Sequence, residues 1–170
     1  MADQDIAAAI ASARTYLQAN PVEARYRDGP ATATIESGLR VRVAGDDGAA
    51  LVTDMVTGVG GGGSAPSPGW IFRAAYASCV ATLVAMTAAE NGMLLDGLRV
   101  TVDSESDDRG ILGIDETVPS GPLGVRVVVS VASDVPAERS REIVEWGVAH
   151  CPVHDAVSRA VPVELQVQVR

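Results

Sequence analysis

The sequence predicts a protein of mixed helices and strands, with neighbouring strands joined as hairpins. Three observations support this. Residues 31–43 and 163–169 alternate with a period of two, which is typical of strands. Residues 68–91 and 137–150 repeat their apolar side chains at helical spacing. Short turn sequences such as Ser37-Gly38 separate the strand-like runs, so we expect the chain to reverse direction there.

The N-terminal part of the chain predicts one helix followed by three strands. The helix covers residues 3–18 and ends at Asn20-Pro21, because a residue before proline is restricted away from helical geometry. A hairpin follows over residues 31–43, and a third strand over residues 50–56. We expect residues 1–23 to be a helical extension and residues 24–170 to form the main domain.

Residues 68–91 predict the longest helix. Ser67 is a suitable N-cap, Pro68 suits the first helical position, and Gly92 is a typical residue for the end of a helix. Apolar side chains cover most of its circumference, so we expect a central, buried helix.

The C-terminal part alternates strands and helices. We expect strands over residues 98–103 and 123–132, separated by an acidic, glycine-containing loop. Helices follow over residues 137–150 and 153–160. A closing strand is expected over residues 163–169, with Val163, Leu165, Val167 and Val169 on one face.

Composition excludes several functional classes. The formal net charge is −9, and every basic side chain is an arginine, so nucleic-acid binding is disfavoured. The longest apolar-rich run, residues 70–89, is interrupted by Arg73 and by serines and threonines, so we expect no membrane segment. The N-terminus has no secretory pattern, which predicts a reducing cytoplasm. Two cysteines in such a compartment are more often functional or buried than bridged.

Two groups of residues suggest a ligand site. Gly60–Gly63 resemble a phosphate loop, but the required Lys does not follow them, so a flexible lead-in to the long helix is the better interpretation. His150 and His154 flank Cys151 and, with Cys79, give the residue types of a zinc site. Their spacing is not that of a zinc finger, and we expect no metal.

The cysteine motifs give the sequence a family resemblance. Residues 67–80 read SPGWIFRAAYASCV, a proline-led helix with Cys79 after a run of small residues. Cys151-Pro152-Val153 stands before a short helix and the last predicted strand. Together with the order of elements, these two motifs resemble the OsmC/Ohr family of osmotically induced and organic-hydroperoxide-resistance proteins over about residues 24–170.

The resemblance implies a fold, a reaction and partners. The fold is α+β, an intertwined homodimer in which antiparallel sheets wrap long central helices. Cys79 is then the peroxidatic thiol that attacks an organic hydroperoxide, and Cys151 is the resolving thiol. Tyr76, Leu83 and Phe72 line an apolar substrate pocket. A lipoyl-type dithiol restores the enzyme, and no further cofactor is needed.

The chain departs from the family at the groups that activate the thiol. Active members place a Glu directly after the helix-leading proline, where this chain has Gly69. The family's arginine has no unique match; Arg27 is our first candidate, with Arg40 and Arg42 as others, while Asp54 stands in the strand before the glycine run. His154 is a possible base, one turn after Cys151. An OsmC-like dimer that binds an apolar small molecule without peroxidase chemistry is therefore the alternative function.

Overall fold

A computed structural model of the chain describes residues 3–93, 95–132 and 135–169. The chain divides into two compact units, an N-terminal unit of residues 8–75 and a C-terminal unit of residues 76–169 with residues 3–7. The boundaries between the units fall inside two helices, α1 (Asp3–Ala19) and α2 (Pro68–Glu90).

The N-terminal unit contains a three-stranded antiparallel sheet. Its strands are β1 (Ala31–Ser37), β2 (Arg40–Gly45) and β3 (Ala50–Thr53), in the order β1-β2-β3. Ile35 pairs with Val41, and Val41 pairs with Thr53. The predicted hairpin is confirmed, whereas the third strand is shorter than expected. Every residue of β1 is exposed, including Ile35.

Helix α2 has the predicted ends. The Ser67 hydroxyl accepts a hydrogen bond from the Trp70 N–H at 3.2 Å, and Gly92 has a φ of 64°, a left-handed conformation that favours glycine after a helix. The expectation of burial all round is wrong for the single chain, because Ser78, Thr82 and Ala85 are exposed.

The buried face of α2 belongs to the core of the C-terminal unit. By length and composition this helix is apolar enough to cross a membrane. Its residues Tyr76, Val80, Val84 and Ala88 are nevertheless each at most 2% exposed within the protein. It is therefore the core helix and not a span.

A two-stranded antiparallel sheet packs against that core. Strands β4 (Asp96–Glu105) and β5 (Gly124–Ala132) pair Val100 with Val129 and Val102 with Val127. Alternate valines of β5 contact the core, as the period-two pattern predicts. The acidic connection between the two strands contains the short helix α3 (Asp108–Ile111).

Two helices complete the C-terminal unit. They are α4 (Ala137–Ala149) and α5 (Pro152–Ser158), both close to their predicted ranges. Gly147 allows α4 to approach α2 closely, because a Cβ at this position would lie 2.9 Å from the backbone nitrogen and Cα of Val84.

The predicted closing strand is wrong for the single chain. Residues 163–169 form no strand and pair with none in the described part of the chain. Their apolar face is open to solvent, with Val163 89% and Val169 90% exposed. The alternation is real, but a strand needs a neighbour to satisfy its backbone groups, and this segment has none here.

Candidate active site

The structure brings the two cysteines of the chain together. Cys79 lies in the middle of α2, and Cys151 directly precedes α5. Both are free thiols, and the Cys151 thiol is hydrogen-bonded to the Cys79 side chain. Cys151 is fully buried in the core cluster, whereas Cys79 is half-buried. Cys79 is thus partly accessible to a small reagent, whereas Cys151 is not.

The backbone at the start of α5 positions Cys151. Pro152 occupies the first turn of the helix, and Cys151 is the extended residue before it, so its side chain points back over the free N–H groups. The Cys151 Sγ accepts hydrogen bonds from the His154 N–H, at 3.4 Å, and from the Val153 N–H.

Burial dominates the electrostatics of Cys151. Burial raises the pKa of its thiol above the usual value, and the hydrogen bond with Cys79 raises it further. The two peptide N–H groups act in the opposite direction but do not offset this. Cys151 therefore needs a proton acceptor before it can act as a nucleophile.

Tyr76 and His154 form a hydrogen-bonded pair beside the cysteines. The Tyr76 hydroxyl contacts the His154 Nδ1, and the two ring centroids are 5.9 Å apart. Tyr76 is 2% exposed and belongs to the same core cluster as Cys151. Burial, and secondarily the charge of Cys151, raise the pKa of the Tyr76 hydroxyl, so it remains protonated at neutral pH.

The sequence predicts the residues of this arrangement but not their pairing. It predicts Tyr76 as a pocket residue and His154 as a possible base near Cys151. Tyr76 stands three residues before Cys79, a spacing that puts both on one face of α2. That spacing indicates that Tyr76 lies near Cys79. It gives no sign of His154, which is 78 residues away from Tyr76 in the sequence.

The second histidine has a different environment. His150 is exposed and stacks on Trp146, with ring centroids 3.6 Å apart and an interplanar angle of 13°. Its Nδ1 lies 2.8 Å from the carbonyl oxygen of Trp146.

The other predicted site residues are distributed over both units. Leu83 is half-buried and packs against the core cluster that holds Cys151. Phe72 is half-buried in the part of α2 that belongs to the N-terminal unit. Arg27 is exposed in the irregular segment before β1. The roles of Phe72 and Arg27 remain predictions.

The glycine run is an ordered loop around Asp54 and not a flexible lead-in. The Asp54 carboxylate, 3% exposed, accepts hydrogen bonds from the N–H groups of Met55, Gly62 and Ser64 and from the Ser64 hydroxyl. These bonds, led by those from Ser64, lower the pKa of Asp54 to about 2. A Cβ at Gly61 would lie 2.0 Å from the Met55 carbonyl oxygen, so only glycine fits there. The loop therefore binds its own carboxylate.

Arg40 supports the same loop. Its Nη1 donates to the Ser64 hydroxyl at 2.7 Å, and its Nε contacts the Glu36 carboxylate at 3.0 Å. Arg40 is thus engaged within the N-terminal unit. At the start of α2, the Nη1 of Arg73 lies 3.8 Å from the position that a Cβ on Gly69 would occupy.

Acidic side chains of β4 and of the connection between β4 and β5 have basic or hydroxyl partners. Asp103 pairs with Arg126 at 2.9 Å, and Asp107 pairs with Arg109. Asp115 accepts from the Thr117 hydroxyl at 2.7 Å. No cluster of three or more possible metal-ligating side chains occurs among the described residues.

Comparisons with known proteins agree with this fold. The family model of OsmC-like proteins matches residues 61–166, more than half of the chain, so the protein belongs to the OsmC-like family. A search of curated proteins found no match.

Solved structures of the family share the fold at low identity. An organic hydroperoxide resistance protein from Legionella pneumophila superposes with a TM-score of 0.60 at 21% identity, covering 78% of this chain and 90% of that one. The OhrB protein of Bacillus subtilis has a TM-score of 0.54 at 24% identity, covering 77% and 90%. An OsmC-like protein of unknown function from Vibrio cholerae has a TM-score of 0.61 at 13% identity, covering 77% and 94%. These similarities establish an α+β OsmC-like fold.

Proposed function

We propose that this protein is a thiol-dependent peroxidase that reduces organic hydroperoxides to alcohols. One observation supports the proposal above all others: Cys79 and Cys151, the two cysteines of the chain, are hydrogen-bonded to each other as free thiols. A two-cysteine peroxidase requires two thiols that can meet to form a disulfide, and Cys79 packs against the core cluster that contains Cys151.

The reaction has two steps. The Cys79 thiolate attacks one oxygen of the peroxide bond, so that bond breaks, the alkoxide takes a proton and leaves as an alcohol, and Cys79 becomes a sulfenic acid. The Cys151 thiolate then attacks the Cys79 sulfur, and the hydroxide that leaves takes a proton to become water. The product is a disulfide, and the peroxide has received two electrons.

The exposure of the two sulfurs supports the assignment of roles. A peroxide must reach the attacking sulfur from outside, and Cys79 is the half-exposed thiol of the pair. Cys151 is 0% exposed, so it meets only a sulfur that is already inside the protein. A resolving role for the buried thiol follows from this difference.

The disulfide must be reduced before the next turnover. A dithiol of the lipoyl type is the reductant that the family resemblance implies. An intramolecular disulfide exchanges readily with such a dithiol, because the second thiol of the reductant closes a ring and releases the enzyme. No cofactor is required in the protein itself.

We propose that the working form is a homodimer. The N-terminal sheet leaves β1 exposed on both faces, and β4 and β5 form only a two-stranded sheet. Unpaired strand edges invite pairing with another chain, and a two-stranded sheet has two such edges. Residues 163–169 offer a further alternating apolar segment. A second copy of the chain accounts for all three features if it covers these surfaces.

Activation of Cys79 requires a nearby cation that favours its thiolate. Gly69 removes the carboxylate that holds the arginine in active family members. Arg40 contacts Glu36 and Ser64, and Asp54 is enclosed by its own loop. Arg27 is exposed and has a long, mobile side chain, so we retain it as the candidate cation.

The alternative is an OsmC-like dimer that binds an apolar small molecule in the interface cleft without reducing peroxides. Gly69 favours this alternative, because a site without the ion-paired arginine lacks the usual stabiliser of the thiolate. In that case the two cysteines would have a structural role only.

Turnover with a defined reductant distinguishes the two functions. Purified protein is mixed with cumene hydroperoxide and dihydrolipoamide, and peroxide loss and cumyl alcohol formation are followed. We expect one alcohol per peroxide consumed, no turnover for Cys79→Ser, and a single stoichiometric turnover for Cys151→Ser. Equal peroxide loss in wild type and Cys79→Ser would support the binding alternative.

A further inference from the structure

We propose that Tyr76 and His154 form a proton relay that accepts the proton of the Cys151 thiol when the disulfide closes. This inference rests on the proposed two-cysteine function, but it concerns only the resolving thiol. Tyr76 and His154 carry the proton of Cys151, and neither contacts the peroxide in this scheme.

The need for a relay follows from the burial of Cys151. The thiol is enclosed in the core cluster, and water has no access to it within the chain. Its pKa is raised by that burial, so the thiol form dominates at neutral pH. A buried thiol that must attack another sulfur needs an internal acceptor for its proton.

A titratable ring is paired with a tyrosine near the thiol, since the charge of Cys151 acts on the Tyr76 hydroxyl. Tyr76 lies in the same core cluster as Cys151, and its hydroxyl contacts the His154 Nδ1. The Nε2 of His154 lies 3.4 Å from the Ser158 hydroxyl. We assign the neutral tautomer with its proton on Nε2, so Nδ1 accepts from Tyr76 and Nε2–H faces Ser158. Histidine titrates in the physiological range, which suits it as the final acceptor.

The proton transfer balances without an ionised tyrosine. Cys151 S–H passes its proton to the Tyr76 oxygen as Tyr76 passes its own to Nδ1, which gives a thiolate and an imidazolium. The thiolate then forms the S–S bond with oxidised Cys79, and the leaving group departs with its electron pair. The imidazolium returns a proton to that leaving group or to solvent, and the neutral pair is restored.

The backbone couples His154 to the same sulfur. Its peptide N–H donates to the Cys151 Sγ at 3.4 Å, so the ring and the sulfur are held in a single turn. The titratable groups that face this turn are Tyr76 and Cys79 from α2, while Asp155 pairs with Arg159 on α5 at 2.7 Å. His150, exposed and stacked on Trp146, provides a matched control.

The relay is tested by disulfide exchange, which needs no peroxide. Methyl methanethiosulfonate caps the half-exposed Cys79 as a methyl disulfide, and Cys151 then displaces methanethiol to close the Cys79–Cys151 bond. Intact mass spectrometry follows the loss of methanethiol between pH 5 and pH 9 in wild type, His154→Asn, Tyr76→Phe and His150→Asn. Asparagine keeps an acceptor for the Tyr76 hydroxyl but accepts no proton, so it preserves packing and removes only the base.

The relay predicts a specific pattern. At pH 7 the closing rate falls roughly tenfold to a hundredfold in His154→Asn and Tyr76→Phe. In wild type and His150→Asn the internal base removes the proton, so the closing rate depends less on hydroxide than in the two relay variants, whose rate continues to rise with pH. Coincident profiles for His154→Asn and wild type would overturn the relay. Closing that follows this pattern in a protein that peroxides do not oxidise would leave the relay standing and reject the peroxidase.

Discussion

Asp54 is a buried carboxylate whose hydrogen bonds are all to its own loop, and this makes its contribution to stability dependent on pH. Its folded pKa is about 2, below the ordinary value of 3.8. A depressed pKa contributes stability that is fully present above the unfolded value and is lost as pH falls through the folded value. We therefore expect the free energy of unfolding to decrease between about pH 4 and pH 2, partly through Asp54.

Substitution isolates that contribution. Asp54→Asn keeps the shape but replaces one accepting oxygen with an N–H₂ group among N–H donors. We expect a melting temperature several degrees below that of wild type at pH 7, with the difference narrowing towards pH 2. Asp46→Asn, in an exposed turn, is the control. A difference in melting temperature between wild type and Asp54→Asn that stays constant from pH 7 to pH 2 would contradict this account.

Arg27 and Arg40 have different expected roles. Arg27 is the candidate that activates Cys79, whereas Arg40 supports the glycine loop. If Arg27 favours the thiolate, Arg27→Ala should slow iodoacetamide modification of Cys79 at pH 7 by about tenfold. Arg40→Ala removes contacts with Glu36 and Ser64, so we expect a small loss of melting temperature and little change in alkylation. Peptide mapping measures the alkylation of Cys79 in both variants, and thermal denaturation measures the melting temperature. Coincident alkylation rates in the wild type and Arg27→Ala would remove Arg27 from the site.

At the scale of elements, we expect the approach of α4 to α2 to position Cys151, the proposed resolving cysteine. Gly147 allows α4 to pack against Val84, and Cys151 follows α4 by two residues. Gly147→Ala places a methyl group against the backbone of α2. We expect a loss of about 1–3 kcal/mol from overpacking, although alanine favours helix formation by about 1 kcal/mol. Chemical denaturation measures this, with the exposed Glu145→Ala as the control.

The displacement of α4 in Gly147→Ala should also slow disulfide formation. Because α5 and Cys151 are attached to α4, a shift of α4 moves the two sulfurs apart. We expect slower closing of the Cys79–Cys151 disulfide in Gly147→Ala even under conditions where the variant is fully folded. A stable variant with a wild-type closing rate would show that α4 does not position Cys151.

Local patterns predicted most elements, and the exceptions have physical reasons. The helix at residues 68–91 carries its own end signals in Ser67, Pro68 and Gly92, so its limits were predictable. Residues 163–169 have the alternation of a strand, but pairing depends on a neighbour that no local pattern specifies. The enclosure of Asp54 by the glycine loop was not predictable, because its bonds reach up to ten residues along an irregular backbone.

For the candidate site, the sequence indicated the two cysteines but not the contact between Tyr76 and His154, and the catalytic roles stay predictions. Two cysteine motifs indicated Cys79 and Cys151, and the structure brings the pair together. The contact between Tyr76 and His154 depends on the packing of α5 against α2, which is long-range and has no signature in either segment alone.

At the scale of the whole molecule, the proposed dimer rests on apolar side chains that the single chain leaves exposed, among them Ile35, Val163 and Val169. We expect a dimer of about twice 17.5 kDa by light scattering at micromolar concentration. Removing residues 161–170 should weaken the dimer or abolish it, since these residues are proposed to pair with the second copy. A folded 17.5 kDa species from the full chain would contradict the dimer.

The central claim is that Cys79 and Cys151 are a redox pair. The most direct test is whether one equivalent of peroxide joins them in a disulfide. The reduced protein is treated with stoichiometric cumene hydroperoxide, quenched with iodoacetamide and mapped by mass spectrometry of its peptides. The account predicts an intramolecular Cys79–Cys151 disulfide in the wild type and, with dimedone present, a trapped sulfenic acid at Cys79 in Cys151→Ser. Two alkylated, unoxidised cysteines in the treated wild-type protein would contradict it.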